Sequence, residues 1–265
     1  MSAVSPASAT PAEFLTLARS LVDISRPILR GYYRTRLDII SKGDESPVTK
    51  ADRECEAALR AAIAKAFPTH GIIGEEFGTE RGDAEFVWVL DPLDGTRAFV
   101  TGRPTFGTLI ALTQGGKPIL GVIDMPILSD LWIGATGHPT TMNGQPVRAR
   151  ACAELKDAYF SAALPQMFQG AADKAKHEKL AGSAKSATYG GDCYQYGMVA
   201  TGFIDLVVEK TLGIYDFLSL VPVLEGAGAF ITDWAGQPLT VHSGDAVVAA
   251  GDRRVLDQAL AILSA

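Results

Sequence analysis

The reading of this chain turns on Trp88-Val-Leu-Asp91-Pro-Leu-Asp94-Gly-Thr96. An apolar, β-forming run leads straight into two aspartates separated by Pro92-Leu93. Proline has no N–H to donate, so Pro92 is expected to end the ladder and turn the chain. Gly95 allows unusual backbone angles beside Asp94. Thr96 and the following Arg97-Ala-Phe-Val100 have the character of a helix start, where free N–H groups can receive a phosphate oxygen. Both carboxylates are therefore expected at the end of a buried strand, not on a solvated helix face.

One upstream segment repeats the device, and one downstream segment adds a further acid. Ile72-Ile-Gly-Glu75-Glu76 is an apolar strand that delivers acids after a glycine, and Tyr215-Asp216 precedes an apolar helix. Each has a plainer reading: Glu75-Glu76 as a solvated turn, Asp216 as a helix cap, Asp91 and Asp94 as turn residues. Their joint occurrence points to a site, because strand ends carry sites in layered α/β proteins. If these acids converge, two carboxylates ~4 Å apart repel by about 4 kcal/mol at an effective dielectric near 20. Divalent cations would remove that penalty. An oxygen-only donor set favours Mg²⁺ or Mn²⁺ over Zn²⁺. The four histidines, His70, His138, His177 and His242, are scattered and form no HExxH.

Helical periodicity places a first helix from near Thr10, with Thr10 as cap, Pro11 at N1 and Glu13 at N3, to near Arg34, with a kink or restart at Pro27. A second helix is expected over 50–66. Short strands follow at 71–74, 86–90, 108–113, 118–124 and 131–135, with turns at Gly115-Gly116 and Asn143-Gly144, the pattern of an antiparallel meander. Beyond them strands (159–163, 204–209, 229–232, 247–250) alternate with helices (171–180, 193–201, 217–226, 253–263), which favours helices layered on sheets. The expected organisation is a disordered tail over 1–10, an N-terminal α+β half over 11–145 and a C-terminal α/β half over 146–265, joined as one unit.

Composition narrows the class. The chain has 265 residues, 47% of them hydrophobic, enough for a core that needs no staples. A net charge of −6 disfavours nucleic acid and anionic membranes as partners. Cys55, Cys152 and Cys193 are isolated and form no CxxC, which fits a reducing cytoplasm. The N-terminus lacks the pattern of a secretory signal, and no apolar run is long enough for a bilayer.

On its motifs the chain resembles the inositol monophosphatase superfamily. These are Ser46-Pro-Val-Thr-Lys-Ala-Asp52, Gly74-Glu-Glu76, the stretch from Trp88 to Thr96, and Tyr215-Asp216 followed by Glu225-Gly-Ala-Gly228. The resemblance spans nearly the whole chain; Tyr215 stands where many members carry Trp. It implies a layered α/β/α/β sandwich and a Mg²⁺-dependent, lithium-sensitive phosphatase, with two or three cations per site and a homodimer. By motif position, Glu75, Asp91 and the Leu93 carbonyl would hold one metal, and Asp91, Asp94 and Asp216 a second. Asp52 and Thr96 would orient the attacking water, with Glu75 assisting. Lys42 would lie near the phosphate, as would Gly95 and Thr96. Two such metals can clamp the attacking and leaving oxygens of an in-line displacement, so no covalent nucleophile is needed.

The alcohol is less well specified. Asp192, in Gly190-Gly-Asp192-Cys-Tyr194, and Glu209 are expected to face the substrate, and two acids suit a cationic alcohol phosphate. With Arg97 and Gly102-Arg-Pro104 this resembles the histidinol-phosphate phosphatase branch. The alternatives are a cap role for Asp192, an inositol 1-phosphate or broad-specificity sugar phosphatase, and a non-catalytic metal-binding paralogue. A nucleotide-binding module is disfavoured, because Gly226-Ala-Gly228 lacks a third glycine and Gly182-Ser-Ala-Lys185-Ser186 is not a Walker loop.

Overall fold

The computed structural model describes residues 9–35 and 47–264. Helix α1 (Ala12–Tyr32) buries Phe14, Ala18, Leu21 and Val22, the stripe its periodicity predicts. The expected capping box does not form. Pro11 takes the N-cap position without a side-chain cap. Thr10 is buried, its hydroxyl donating to the Ile119 carbonyl (3.0 Å) and its N–H to that of Thr136 (2.9 Å). Sheet bonds thus outcompete the local cap. Pro27 lies inside the helix without ending it, and the helix stops at Tyr32. Helix α2 spans Pro47–Ala66.

An eight-stranded sheet follows, built from β1 (Gly71–Gly74), β2 (Gly78–Glu80), β3 (Phe86–Asp94), β4 (Gly107–Gln114), β5 (Lys117–Met125), β6 (Asp130–Ala135), β7 (His138–Met142) and β8 (Gln145–Pro146). Its order is β2-β1-β3-β4-β5-β6-β7-β8. Only β1 and β3 pair in parallel; β3 to β6 form the expected meander, which β7 and β8 extend beyond the strands read from the sequence. Helix α3 (Thr96–Val100) lies between β3 and β4. Strand β2 is not foreseen from the sequence because all three of its residues are exposed, leaving no alternation to read.

Strand β3 corrects the expectation for Pro92. The strand does not turn there but continues to Asp94, with a bulge between Asp91 and Asp94. A bulge leaves residues outside the ladder, so a missing N–H costs little. The Pro92 carbonyl accepts from the Thr108 hydroxyl at 2.9 Å.

The second half contributes β9 (Tyr159–Ala162), α4 (Gly170–Ser183), β10 (Ser186–Tyr189), α5 (Tyr194–Ala200), β11 (Leu206–Glu209), α6 (Ile214–Phe217), α7 (Leu220–Gly226), β12 (Phe230–Asp233), β13 (Val247–Ala250) and α8 (Arg253–Leu263). The sheet order is β10-β9-β11-β13-β12. The single helix expected over 217–226 is two, α6 and α7. Pro222 falls in the first turn of α7, where N–H groups have no intrahelical partner in any case.

The layers follow from alternation along the strands. In β3, Trp88 and Leu90 point into the core shared with α1 and α2, while Val89 points to the opposite face, into the core that holds α5 and α7. That middle core is closed from the other side by Val207, Val247 and Ala249 of the second sheet. A third core lies beyond, where Phe160, Val208 and Val248 meet Leu180 of α4 and Leu256 of α8. The expected α/β/α/β order is therefore present, with α4 and α8 adding an outer helical layer. Helix α7 presses so close to the first sheet that a Cβ on Gly121 would lie 1.8 Å from the Ser219 carbonyl oxygen. Only glycine permits that approach. It fixes the height of α7, and with it α6, above the end of β3.

Candidate active site

Asp91 shares the face of Val89, so the alternation of β3 aims it into the middle layer, where α6 carries Asp216. One carboxylate oxygen from each of Asp91, Asp94 and Asp216 falls within 4.8 Å of the others. Asp91 is 2% exposed. Its Oδ1 accepts from the Leu93 N–H at 3.0 Å, so it is also a turn residue of its own bulge. The Cys193 N–H donates to Asp94 Oδ2 at 2.7 Å, and the Gly213 N–H to Asp216 Oδ2 at 2.7 Å. Asp216 is not the N-cap; it sits at N3 of α6 and reaches back. Glu75, exposed and lining the cleft, stands outside this tight triad.

Burial, then the neighbouring carboxylates, raise these groups together. Asp91 is pushed well up by burial and by Asp94, Asp216, Glu75 and Asp52. Asp94 rises to about 6, through burial and then Asp216. Asp216 also rises to about 6, mainly through burial. Asp52, on α2, is 6% exposed and rises to about 8 through burial, Glu76, Glu75 and Glu56. Its Oδ1 has no hydrogen-bond partner among the described residues. Such buried, mutually repelling oxygens, one of them unpartnered, fit a hard divalent cation, which takes oxygen donors and supplies the missing positive charge.

Thr96 starts α3, and its hydroxyl approaches the Leu93 carbonyl at 3.5 Å. Gly95 is the N-cap of α3 at φ 83°. These groups open into a cleft of 510 Å³ lined also by Arg97, Gln166, Thr211, Asp192 and Glu209. Lys42 lies outside the described residues.

Asp192 and Glu209 both reach this cleft, in different states. Asp192 does not cap α5: no side chain does, and Cys193 occupies the N-cap. It adopts a left-handed backbone at φ 43° and packs against Gly95, where a Cβ would come 3.1 Å from its carboxylate. Burial and Asp94 lift it to about 7, opposed by Arg103 and Arg97. Glu209 is 3% exposed and both its oxygens are engaged: Oε1 accepts from the Ala163 N–H and Oε2 from the Tyr196 hydroxyl, each at 2.7 Å. Burial raises it to about 8. It is a cleft wall already held by its neighbours rather than an open counter-charge. Sequence reasoning misses Tyr196 and singles out Arg103 only within the Gly102-Arg-Pro104 stretch, without its partner. Arg103 donates to the Gly190 carbonyl (3.0 Å) and so braces the Asp192 loop. Both contacts cross between segments with no shared periodicity, so the sequence carries no signal for them.

The profile of the inositol monophosphatase family matches residues 10–264. The chain is 46% identical over 256 residues to a bifunctional phosphatase, IMPL2, of Arabidopsis thaliana chloroplasts, covering 93% of this chain and 74% of that one. It is 33% identical to a histidinol-phosphatase of Chlorobaculum parvum, covering 90% and 92% respectively. Among solved structures, an inositol monophosphatase from Zymomonas mobilis superposes with a TM-score of 0.91 at 42% identity, covering 96% of this chain and 98% of that one. Fold, site and relatives together define a phosphoric monoester hydrolase. More particularly, the chain belongs to the inositol monophosphatase family. Among the described residues no helix is long and apolar enough to cross a membrane.

Proposed function

We propose that this protein hydrolyses histidinol phosphate to histidinol and inorganic phosphate, with Mg²⁺ as the required cation. The observation that carries the choice of alcohol is Asp192, half-buried and held in a left-handed backbone against Gly95 at the mouth of the carboxylate cluster. An acid fixed there gives the ammonium of histidinol phosphate a partner that inositol phosphate does not require. The likeness to IMPL2 and to proteins named histidinol-phosphatase supports the same reading.

In this reading Glu75, Asp91, Asp94, Asp216 and the Leu93 carbonyl hold the cations. Bound Mg²⁺ supplies charge neutralisation at the phosphoryl group and makes water a competent nucleophile near neutral pH. The chain's own groups supply position. Asp52 Oδ1, buried and without a partner among the described residues, accepts a proton from the attacking water. The Thr96 hydroxyl, directed at the Leu93 carbonyl, keeps its lone pairs for that water and orients it. A water oxygen–phosphorus bond forms as the ester P–O bond breaks; the departing ester oxygen takes a proton from solvent water, and the alcohol leaves on the side of Asp192. No protein nucleophile takes part: the Cys193 thiol is buried, and burial together with Asp94 raises it far above the range of a reactive thiolate.

An inositol 1-phosphatase is the second reading, favoured by the 42% identity to the Zymomonas mobilis inositol monophosphatase. Steady-state kinetics on both phosphates, with Mg²⁺ and with chelator, decide between them. The proposal requires Mg²⁺-dependent turnover and a higher kcat/KM for histidinol phosphate. A higher value for inositol 1-phosphate refutes the substrate, and turnover that survives chelation refutes the cation.

A further inference from the structure

We infer that Glu56, one helical turn beyond Asp52 on α2, is a positioning residue that holds Glu75 in register with the other carboxylates. Its side chain is fully buried. Glu56 Oε2 accepts the Glu76 N–H at 2.8 Å and Oε1 accepts that of Phe77 at 3.2 Å. These are the two N–H groups that directly follow Glu75. Arg60, a further turn along α2, donates through Nε to Glu56 Oε1 at 2.7 Å and through Nη2 to the Gly78 carbonyl. The Glu56–Arg60 pair thus grips the whole turn from Glu76 to Gly78, between β1 and β2.

Gly74 shows how tightly the carboxylate is seated. A Cβ there would lie 1.9 Å from Glu56 Oε1 and 2.3 Å from its Cδ. The residue just before Glu75 must therefore be glycine for Glu56 to reach the turn. On the sheet side, the Glu75 N–H bonds the Leu90 carbonyl (3.3 Å), the residue before Asp91. The Glu75 backbone is consequently pinned between β3 and α2, and α2 is the helix that also presents Asp52. A buried carboxylate is costly unless paired and hydrogen-bonded. Here both conditions are met by groups whose shared effect is to fix one turn. Residues that orient metal ligands without touching the metal change affinity by about 10–100-fold when altered.

This inference rests on the reading that Glu75 serves the cation site, and the test separates the two. Mn²⁺ is titrated into the chelator-stripped full chain, with free ion followed by electron paramagnetic resonance and melting followed in parallel. Glu75→Gln is the reference and must weaken Mn²⁺ binding; unchanged affinity there overturns the reading of Glu75 itself. Glu56→Asp keeps the charge and withdraws it from the turn. It is expected to weaken Mn²⁺ binding by about 10–100-fold, and Glu56→Gln to do likewise. Wild-type affinity in Glu56→Asp overturns the inference, since the charge alone would then suffice. Leu59→Ala, which opens the core behind the same helix, controls for general loosening. It is expected to lower the melting temperature and leave Mn²⁺ affinity unchanged; a loss equal to that of Glu56→Asp also overturns the inference. Where the glutamine variant does not fold, the aspartate variant decides.

Discussion

Replacing Asp91 with asparagine should make the metal-free protein more stable while abolishing the cation-dependent hydrolysis proposed for it. Asp91 takes part in two of the three carboxylate pairs that lie within 4.8 Å. At that distance and an effective dielectric near 20, each pair repels by about 3.5 kcal/mol, or about 7 kcal/mol for the two. Protonation limits this cost. Neutralising a carboxyl whose unfolded pKa is about 3.8 at pH 7.5 takes about 5 kcal/mol at 1.36 kcal/mol per unit, so the strain cannot exceed that figure. Asparagine keeps the acceptor for the Leu93 N–H and removes the charge. After allowing for burial of the amide, a gain of about 3 kcal/mol is expected, or roughly 6–12 °C in melting temperature. The sign also fixes the pH dependence. Asp91, Asp94 and Asp216 are all raised on folding, so the folded chain binds more protons than the unfolded one. Wild-type stability without metal therefore falls as pH rises from about 4 upward, and the advantage of the variant should vanish near pH 4 and increase from there. That advantage is not complete at pH 7.5 but keeps growing with pH while Asp91 stays protonated in the fold, and differential scanning calorimetry of chelator-treated protein measures it. With excess Mg²⁺ the order should invert, because only the wild type gains binding energy on folding. A metal-free Asp91→Asn protein that melts below wild type at pH 7.5 would refute the electrostatic account of the site.

Three further outcomes follow from the geometry. Asp192→Asn should lower kcat/KM for histidinol phosphate far more than for p-nitrophenyl phosphate, which has no cation to pair; equal losses in the two steady-state assays would remove Asp192 from substrate recognition. Gly121→Ala drives a methyl into the Ser219 carbonyl and should cost about 2–3 kcal/mol in urea unfolding, with Mg²⁺ affinity weakened as α6 shifts. Asp252 caps α8 through the Arg254 N–H (3.0 Å), also accepts from the Cys152 N–H (3.0 Å), and pairs with the Arg254 side chain, which holds its carboxyl well below the ordinary range. Asp252→Ala should cost about 1 kcal/mol at pH 7. Because its folded pKa is depressed, that contribution is complete above the unfolded value and disappears as pH falls through the folded one, so melting curves of variant and wild type should converge in strong acid.

Much of the site is legible in the sequence because its parts are local. The Trp88–Thr96 stretch carries its own strand and helix start, though not the bulge that replaces the expected turn at Pro92, and the alternation that buries Val89 also dictates which way Asp91 points. Periodicity likewise places α1, α2, α8 and the meander, since each has one apolar face. What escapes is non-local. Thr10 reads as a cap in sequence, yet bonds a strand more than a hundred residues away. Strand β2 has no buried face to announce it. Asp192 is ambiguous in one dimension, a cap or a substrate group; the fold gives the N-cap of α5 to Cys193 and packs Asp192 against Gly95 instead.

The sequence by itself determined the chemistry on offer: which residues are acids, that Glu75, Asp91 and Asp94 come at the ends of apolar strands, and that oxygen is the only donor atom these acids present. Tertiary structure decided which acids converge and at what cost. Asp216 meets Asp91 because glycine at 121 lets α7 settle against the sheet, and Glu75 stands where Glu56 holds its turn. Glu209, an acid in the sequence like any other, is committed to Ala163 and Tyr196 by burial. The physical reason is the same in each case. A carboxylate's charge, partners and reach depend on the dielectric and the donors around it, and those are assembled from segments that only the fold brings together.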